Sequence, residues 1–168
     1  MIYFAYGANL NLRGMKRRCP KARPLMAATL PGYRFEFRTF ATIVADAQAE
    51  VPGALYELTP ACWRALDGYE GPEYKKITVT VNTAEGPREA TAYIMASGKR
   101  AAPSMAYCGD IARGYSDWKL DAKLLQRARY ATLFPDKPER VRQESTRPGP
   151  APPGFARPGV TRPVKETP

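Results

Sequence analysis

The order of the predicted elements indicates an α+β fold, a small barrel with a mixed or mostly antiparallel sheet and helices packed outside it. Strand-like segments come first, one helix is inserted among them, more strands follow, and two helices end the series. This order lacks the regular alternation of strands and helices found in a doubly wound parallel sheet. A chain of 168 residues with 44% hydrophobic content can also bury one core without disulfides or a structural metal.

The composition changes once along the chain, near residue 135. Beyond this point prolines recur and periodic apolar residues vanish. We therefore assign residues 1–134 to one domain and residues 135–168 to a proline-rich tail. Such a tail can wrap the domain or a neighbouring subunit, or stay mobile, and its composition does not choose between these.

The first half of the domain predicts short strands around two turns. Residues 2–6 form a buried first strand, and Leu12–Arg18 is the helix that follows a glycine turn. Apolar alternation indicates strand segments at 27–30 and 33–37, which we expect to be separated by Pro31 and Gly32.

The second half begins with a strand at 53–58 that runs into a helix start. Thr59 is a good N-cap and Pro60 suits the first helical position, so residues 61–67 should be a helix stopped by Gly68. Two strands, 74–81 and 88–96, then form a hairpin. The last helices are expected at 104–113, ending at Gly114, and at 118–133, with Asp117 as the N-cap.

The absence of histidine narrows the possible chemistry. It excludes a Ser-His-Asp triad, a Cys-His pair and any histidine-based metal site, so a reaction would depend on carboxylates, tyrosines and backbone amides. The cysteines, Cys19, Cys62 and Cys108, are widely spaced without a C-x-x-C pair, which indicates reduced thiols. No apolar run approaches the roughly 20 residues of a membrane span, and no leader pattern opens the sequence, so we expect a cytoplasmic protein.

A formal net charge of +10 raises the question of nucleic-acid binding. Residues 13–23 (RGMKRRCPKAR) are rich in basic side chains and contain no acid. Such runs are usually solvated faces, and this one lacks the interleaved aromatic residues of a single-strand platform. We therefore do not expect nucleic acid as a partner. Electrostatic steering of small anionic substrates is another role for the positive charge, of similar weight to nucleic-acid binding.

The first candidate site is the turn after the first strand, formed by Tyr6, Gly7, Ala8, Asn9 and Leu10. Small residues leave successive backbone N–H groups with little side-chain cover, which makes a concavity suited to a carboxylate or carbonyl oxygen. The alternative is an ordinary turn from strand to helix, capped by Asn9.

The second candidate is Glu70, between two glycines at the exit of a helix. The helix dipole disfavours a carboxylate there, and a dry surrounding would raise its pKa towards neutrality. Such a group can accept and return a proton. The alternative is a solvated loop acid.

Five motifs in order make the chain resemble the gamma-glutamylcyclotransferase family. They are Y-G-A-N-L at 6–10, P-G-Y-R-F at 31–35, G-A-L-Y at 53–56, L-D-G-Y-E-G at 66–71 followed by Tyr74, and P-S-M-A-Y at 103–107. The resemblance covers most of residues 1–130, and the proline-rich tail has no counterpart in it. Ala8 departs from the pattern, which commonly has serine there.

The resemblance implies a small mixed barrel that cleaves gamma-glutamyl amides without water or a cofactor. The substrate's α-amine attacks its own γ-carbonyl and releases 5-oxoproline with a free amine or amino acid. Glu70 would transfer the protons, the 6–10 turn would hold the glutamyl group, and Tyr74 and Tyr107 would supply hydroxyl donors. The leaving group, from glutathione, a dipeptide, or a modified lysine or polyamine, stays open, as does a homo-oligomer. Two other hypotheses are a catalytically silent module that binds glutamyl-like or acidic molecules and a nucleic-acid-associated protein.

Overall fold

The computed structural model describes residues 1–134, so the predicted proline-rich tail lies outside the described residues. Within them, strands and helices follow in an order close to the expected one. The strands are β1 (Ile2–Ala5), β2 (Arg23–Arg38), β3 (Phe40–Glu57), β4 (Tyr74–Thr83) and β5 (Gly86–Met95). The helices are α1 (Leu12–Arg18), α2 (Pro60–Glu70), α3 (Met105–Asp117) and α4 (Lys123–Leu133), with a short 3-10 turn at Ala8–Leu10.

The strands close into a barrel in the order β1-β3-β2-β4-β5. Pairing is antiparallel except where β5 meets β1, with Tyr3 opposite Thr91 in parallel. The predicted α+β barrel with a mixed, mostly antiparallel sheet is therefore confirmed. Closure removes the open edges that an isolated sheet would expose to other chains.

The long hairpin of β2 and β3 differs from the expected short strands. The segments at 27–30 and 33–37 belong to one strand, and Pro31-Gly32 marks a register shift, not a break. Gly32 has a φ of 75°, a conformation that lets the strand shift register without side-chain strain. Residues 40–52, for which no strand was predicted, form the first part of β3.

The helix ends also differ from expectation. α2 begins as predicted, with the Thr59 side chain accepting from Cys62 N, but it continues past Gly68 to Glu70. A glycine inside a helix lowers the stability of the helix by only about 1 kcal/mol. This is too little to end α2, whose Leu66 is fully buried in the core. The helix stops instead at Gly71, whose φ is 75°.

α3 continues past its predicted end at Gly114, because that glycine lets the helix lie directly on the 3-10 turn. A Cβ at Gly114 would lie 2.4 Å from Leu10 Cβ. Asp117 does not cap α4 as predicted. It is the last residue of α3 and accepts from Leu12 N at 2.9 Å.

One hydrophobic core fills the barrel and continues beneath the helices. Its fully buried large side chains include Phe4, Phe37, Tyr56 and Ile111. The three cysteines are also buried, and none forms a disulfide. Within residues 1–134, no helix has the length and apolar character needed to cross a membrane.

Candidate active site

A cleft opens where β1 ends, and both predicted site segments line it. Its volume is about 320 Å³, counting the space continuous with solvent. Most of the lining is aromatic or small, and Glu70 is the one carboxyl side chain among these residues. The lining residues are Tyr3, Tyr6, Gly7, Ala8, Asn9, Ala41, Tyr69, Glu70, Tyr74, Tyr93 and Tyr107.

Glu70 reaches the cleft because it is the last residue of α2, directly before the glycine that ends the helix. Its side chain is half-buried, and Oε1 accepts a hydrogen bond from Asn9 Nδ2 at 2.8 Å. The acid predicted on the helix exit and the asparagine predicted in the first turn therefore meet across 61 residues of sequence.

Burial raises the pKa of Glu70 to about 7, against the Asn9 hydrogen bond and the charge of Arg18, which lower it. Desolvation dominates because the carboxylate loses water to a wall of tyrosine rings, and one amide hydrogen bond compensates only part of that loss. A carboxyl group with this pKa populates both its acid and its base form near neutral pH, as a group that takes up and returns a proton requires.

The amide of Asn9 links Glu70 to the first strand. Asn9 is 3% exposed, and Nδ2 also donates to the Tyr3 hydroxyl at 2.9 Å. Both amide hydrogens of Asn9 are thus donated inside the site, and its Oδ1 accepts from Arg18 Nε at 3.0 Å. A fully bonded amide of this kind holds the carboxylate in one position.

The backbone of the first turn faces the same cleft. The first hydrogen bond within the turn runs from Leu10 N to Gly7 O at 3.0 Å. The N–H groups of Gly7, Ala8 and Asn9 come earlier in the chain and are not used by the hydrogen bonds of the turn itself. A Cβ on Gly7 would lie 3.2 Å from Ala41 Cβ and 3.6 Å from the Tyr107 hydroxyl. Glycine at this position therefore keeps the cleft open.

Two predicted site residues of this turn have additional structural roles. Tyr6 is 5% exposed, and its hydroxyl donates to the Tyr93 carbonyl. Leu10 does not line the cleft: its side chain is fully buried, and its carbonyl accepts from Trp118 Nε1 at 2.9 Å. The structure thus brings Tyr6, Gly7, Ala8 and Asn9 together with Glu70 and leaves Leu10 in the core.

Tyr74 and Tyr107 line the cleft and both bond to Ala41 of β3. The Tyr74 hydroxyl donates to Ala41 O at 2.8 Å, whereas the Tyr107 hydroxyl accepts from Ala41 N at 3.1 Å. Tyr107 therefore keeps its hydroxyl hydrogen for another acceptor, and Tyr74 does not. Burial raises the pKa of both phenols, so both remain protonated near neutral pH.

Sequence reasoning missed four lining residues, Tyr3, Ala41, Tyr69 and Tyr93. Ala41 and Tyr93 lie in strands whose inward side depends on barrel register. Tyr69 stands beside Glu70 in α2 and is 50% exposed, so its adjacency to the acid is the one local signal that could have indicated it. Within residues 1–134, Cys, Asp and Glu side chains nowhere form a group of three that could hold a metal ion.

Residues 3–120 match the family model described as gamma-glutamyl cyclotransferase, AIG2-like. The chain belongs to this family. The matched range contains the whole cleft, from Tyr3 to Tyr107, so membership rests on the segments that build the site. None of the curated proteins compared with the chain matches it.

Solved structures of the cyclotransferase fold agree with this assignment. A protein named gamma-glutamyl cyclotransferase is 27% identical, with a TM-score of 0.69 over 76% of this chain and 85% of that one. An uncharacterized protein from Homo sapiens is 28% identical, with the same TM-score and coverage. A yeast gamma glutamyl cyclotransferase specific to glutathione is 10% identical, with a TM-score of 0.54 over 80% of this chain and 96% of that one, and shows the fold alone.

Proposed function

We propose that this member of the family is an active gamma-glutamylcyclotransferase that converts a gamma-glutamyl amide into 5-oxoproline and a free amine or amino acid. The observation that supports this most directly is Glu70, a single half-buried carboxyl group with a pKa of about 7 in a cleft walled by neutral groups. It faces the turn whose N–H groups suit a carboxylate.

The reaction begins with a proton transfer. The Glu70 carboxylate takes a proton from the substrate's α-ammonium group, and the neutral amine attacks the γ-carbonyl carbon of the same molecule. The attack is intramolecular, so the protein contributes chiefly by holding the glutamyl chain folded. Protonated Glu70 then returns its proton to the departing nitrogen as the amide C–N bond breaks. The regenerated Glu70 carboxylate takes the second proton from the ring nitrogen, which leaves neutral 5-oxoproline, and passes that proton to the released amine.

The remaining cleft residues have positioning and electrostatic roles in this proposal. The N–H groups of Gly7, Ala8 and Asn9 bind the substrate's α-carboxylate. Tyr107 donates its unused hydroxyl hydrogen to the oxygen that becomes negative during attack. Tyr74, which already donates to Ala41, orients that side of the cleft. The cytoplasmic location and the choice of leaving group stay predictions.

The test is a panel of gamma-glutamyl dipeptides, glutathione, gamma-glutamyl-lysine and gamma-glutamyl amines, with 5-oxoproline measured by mass spectrometry. We expect product from at least one compound and a kcat/KM that rises through about pH 7 as Glu70 ionises. Glu70→Gln should lower kcat by at least about 100-fold while substrate still binds. The matched control is Glu73→Gln, an exposed acid three residues away, which should leave turnover unchanged.

Two results would overturn the proposal. Saturable binding without product would favour the silent binding module. Salt-dependent binding to generic DNA or RNA that Glu70→Gln leaves unchanged, again without product, would favour the nucleic-acid hypothesis.

A further inference from the structure

One basic residue of α1 behaves differently from its neighbours. Lys16 and Arg17 are exposed, whereas Arg18, in the last turn of the helix, folds back over the first turn. Its Nε donates to Asn9 Oδ1 at 3.0 Å and its Nη2 donates to Ala8 O at 3.2 Å. One guanidinium thus contacts both a side chain and the backbone of the site.

These contacts decide which way the Asn9 amide points. A guanidinium only donates hydrogen bonds, so the amide must present its oxygen to Arg18. The amide nitrogen is then directed to the Tyr3 hydroxyl at 2.9 Å and to Glu70 Oε1 at 2.8 Å. A reversed amide would place N–H groups against the guanidinium and its oxygen against the Glu70 carboxylate, and both contacts would be repulsive.

The packing around Arg18 keeps the guanidinium in this place. Its central carbon lies 4.3 Å from the centroid of the Tyr69 ring, a cation–π contact with a residue that lines the cleft. On another side, a Cβ on Gly14 would lie 3.2 Å from Arg18 Nη2. Glycine in α1 therefore leaves the space that the guanidinium uses.

We propose that Arg18 is a positioning residue of this site, which orients the Asn9 amide towards Glu70 and supports the Tyr69 side of the cleft. This inference rests on the proposed role of Glu70 as the proton carrier. Arg18 need not touch the substrate, and it acts through Asn9 and Tyr69.

Arg18 is also the cation that acts on Glu70. The other titratable groups that interact with this carboxyl are neutral phenols held on different elements, namely Tyr3, Tyr6, Tyr74, Tyr93 and Tyr107. Removing the Arg18 charge should therefore move the Glu70 titration upward, by about one pH unit.

The experiment follows Glu70 in the substrate-free protein by carbon-13 NMR of labelled glutamate carboxyl groups, with the signal assigned through Glu70→Gln. Arg18→Met should shift the titration midpoint upward by about one pH unit. Arg17→Met, an exposed neighbour on the same helix, should leave it unchanged. An unchanged midpoint in Arg18→Met would overturn the inference.

A second variant keeps the test decisive if Arg18→Met does not fold. Arg18→Lys retains the charge but cannot contact Asn9 Oδ1 and Ala8 O together in the same geometry. We expect the Asn9 side-chain amide protons to exchange with solvent at least about 10-fold faster than in wild type. Arg17→Lys is the control, and unchanged Asn9 exchange in Arg18→Lys would refute the positioning role.

The NMR readouts separate this inference from the proposed function. If the wild-type protein releases no 5-oxoproline, the proposed activity fails while the titration and exchange results still decide the role of Arg18. If it does, Arg18→Lys should lower kcat more than it raises KM, because Arg18 acts on the proton carrier and not on the substrate.

Discussion

Glu70→Gln should make the protein more stable at pH 8 than wild type, although it removes the proposed proton carrier. The pKa of Glu70 is raised from 4.5 to about 7 by burial. The folded protein therefore binds more protons than the unfolded chain between these values, and wild-type stability falls as the pH rises through this window. Glutamine lacks the titration and still offers an oxygen to Asn9 Nδ2.

The size of the effect follows from the same displacement of the pKa. Ionising Glu70 in the folded state costs about 3 kcal/mol relative to the unfolded chain. Because the side chain is only half-buried, solvent screening reduces this figure, and we expect about 1 to 3 kcal/mol at pH 8. For a chain of this length that corresponds to a rise in Tm of about 2 to 10 °C.

The assay is urea unfolding of wild type and Glu70→Gln from pH 5 to pH 8.5, with Glu73→Gln as the control. The difference in free energy of unfolding should be small near pH 5, where folded wild type carries protonated Glu70, and should reach a plateau above about pH 7.5. A difference that is constant across this range, or that shrinks as the pH rises, would refute the reasoning. The control should show no growth with pH.

Three further predictions concern the barrel and the cleft wall. Gly53→Ala should destabilise the fold by about 2 kcal/mol or more, because its Cβ would lie 2.5 Å from the Phe4 ring. Gly68→Ala should instead stabilise α2 by about 1 kcal/mol, because a Cβ at Gly68 would meet no atom within 4 Å. Thermal unfolding checks both, and equal effects would contradict the packing argument. Burial opposes ionisation of Glu36, but hydrogen bonds from three arginines lower its pKa. Glu36→Gln should therefore lower the free energy of unfolding by about 1 to 3 kcal/mol at pH 7 and by progressively less below pH 4.5. Urea unfolding measures this, and a loss of stability that grows as the pH falls would contradict the prediction. Tyr107→Phe should lower kcat for 5-oxoproline release about 10-fold or more and cost about 1 kcal/mol of stability, because Ala41 N loses its acceptor. An unchanged kcat would exclude the hydroxyl from the reaction.

Local signals in the sequence identified the elements that have a clear helix cap or a clear apolar periodicity. The helix Leu12–Arg18 and the Thr59 cap of α2 occur as predicted, because caps and periodicity act within a few residues. Helix ends were less predictable. Gly68 and Gly114 are helix interior positions here, since burial of Leu66 and contact with Leu10 outweigh their low helix propensity.

Some residues of the candidate site were predictable from the sequence and others were not. Glu70, Asn9 and the small residues of the first turn were predicted from the family resemblance of their motifs, since their local chemistry also fitted a solvated acid and an ordinary turn. Tyr3, Ala41 and Tyr93 were not, since only the register of a closed barrel turns these strand residues towards the cleft.

The sequence by itself excluded histidine-dependent chemistry, because the chain contains no histidine. Only the tertiary structure decided that the Glu70 carboxyl group is desolvated and that its pKa is raised to about 7. Its pKa depends on lost water, on the Asn9 amide 61 residues away, and on the Arg18 guanidinium, whose direction no local pattern specifies. Desolvation is a property of the packed wall around a group, so it exists only once the barrel has closed.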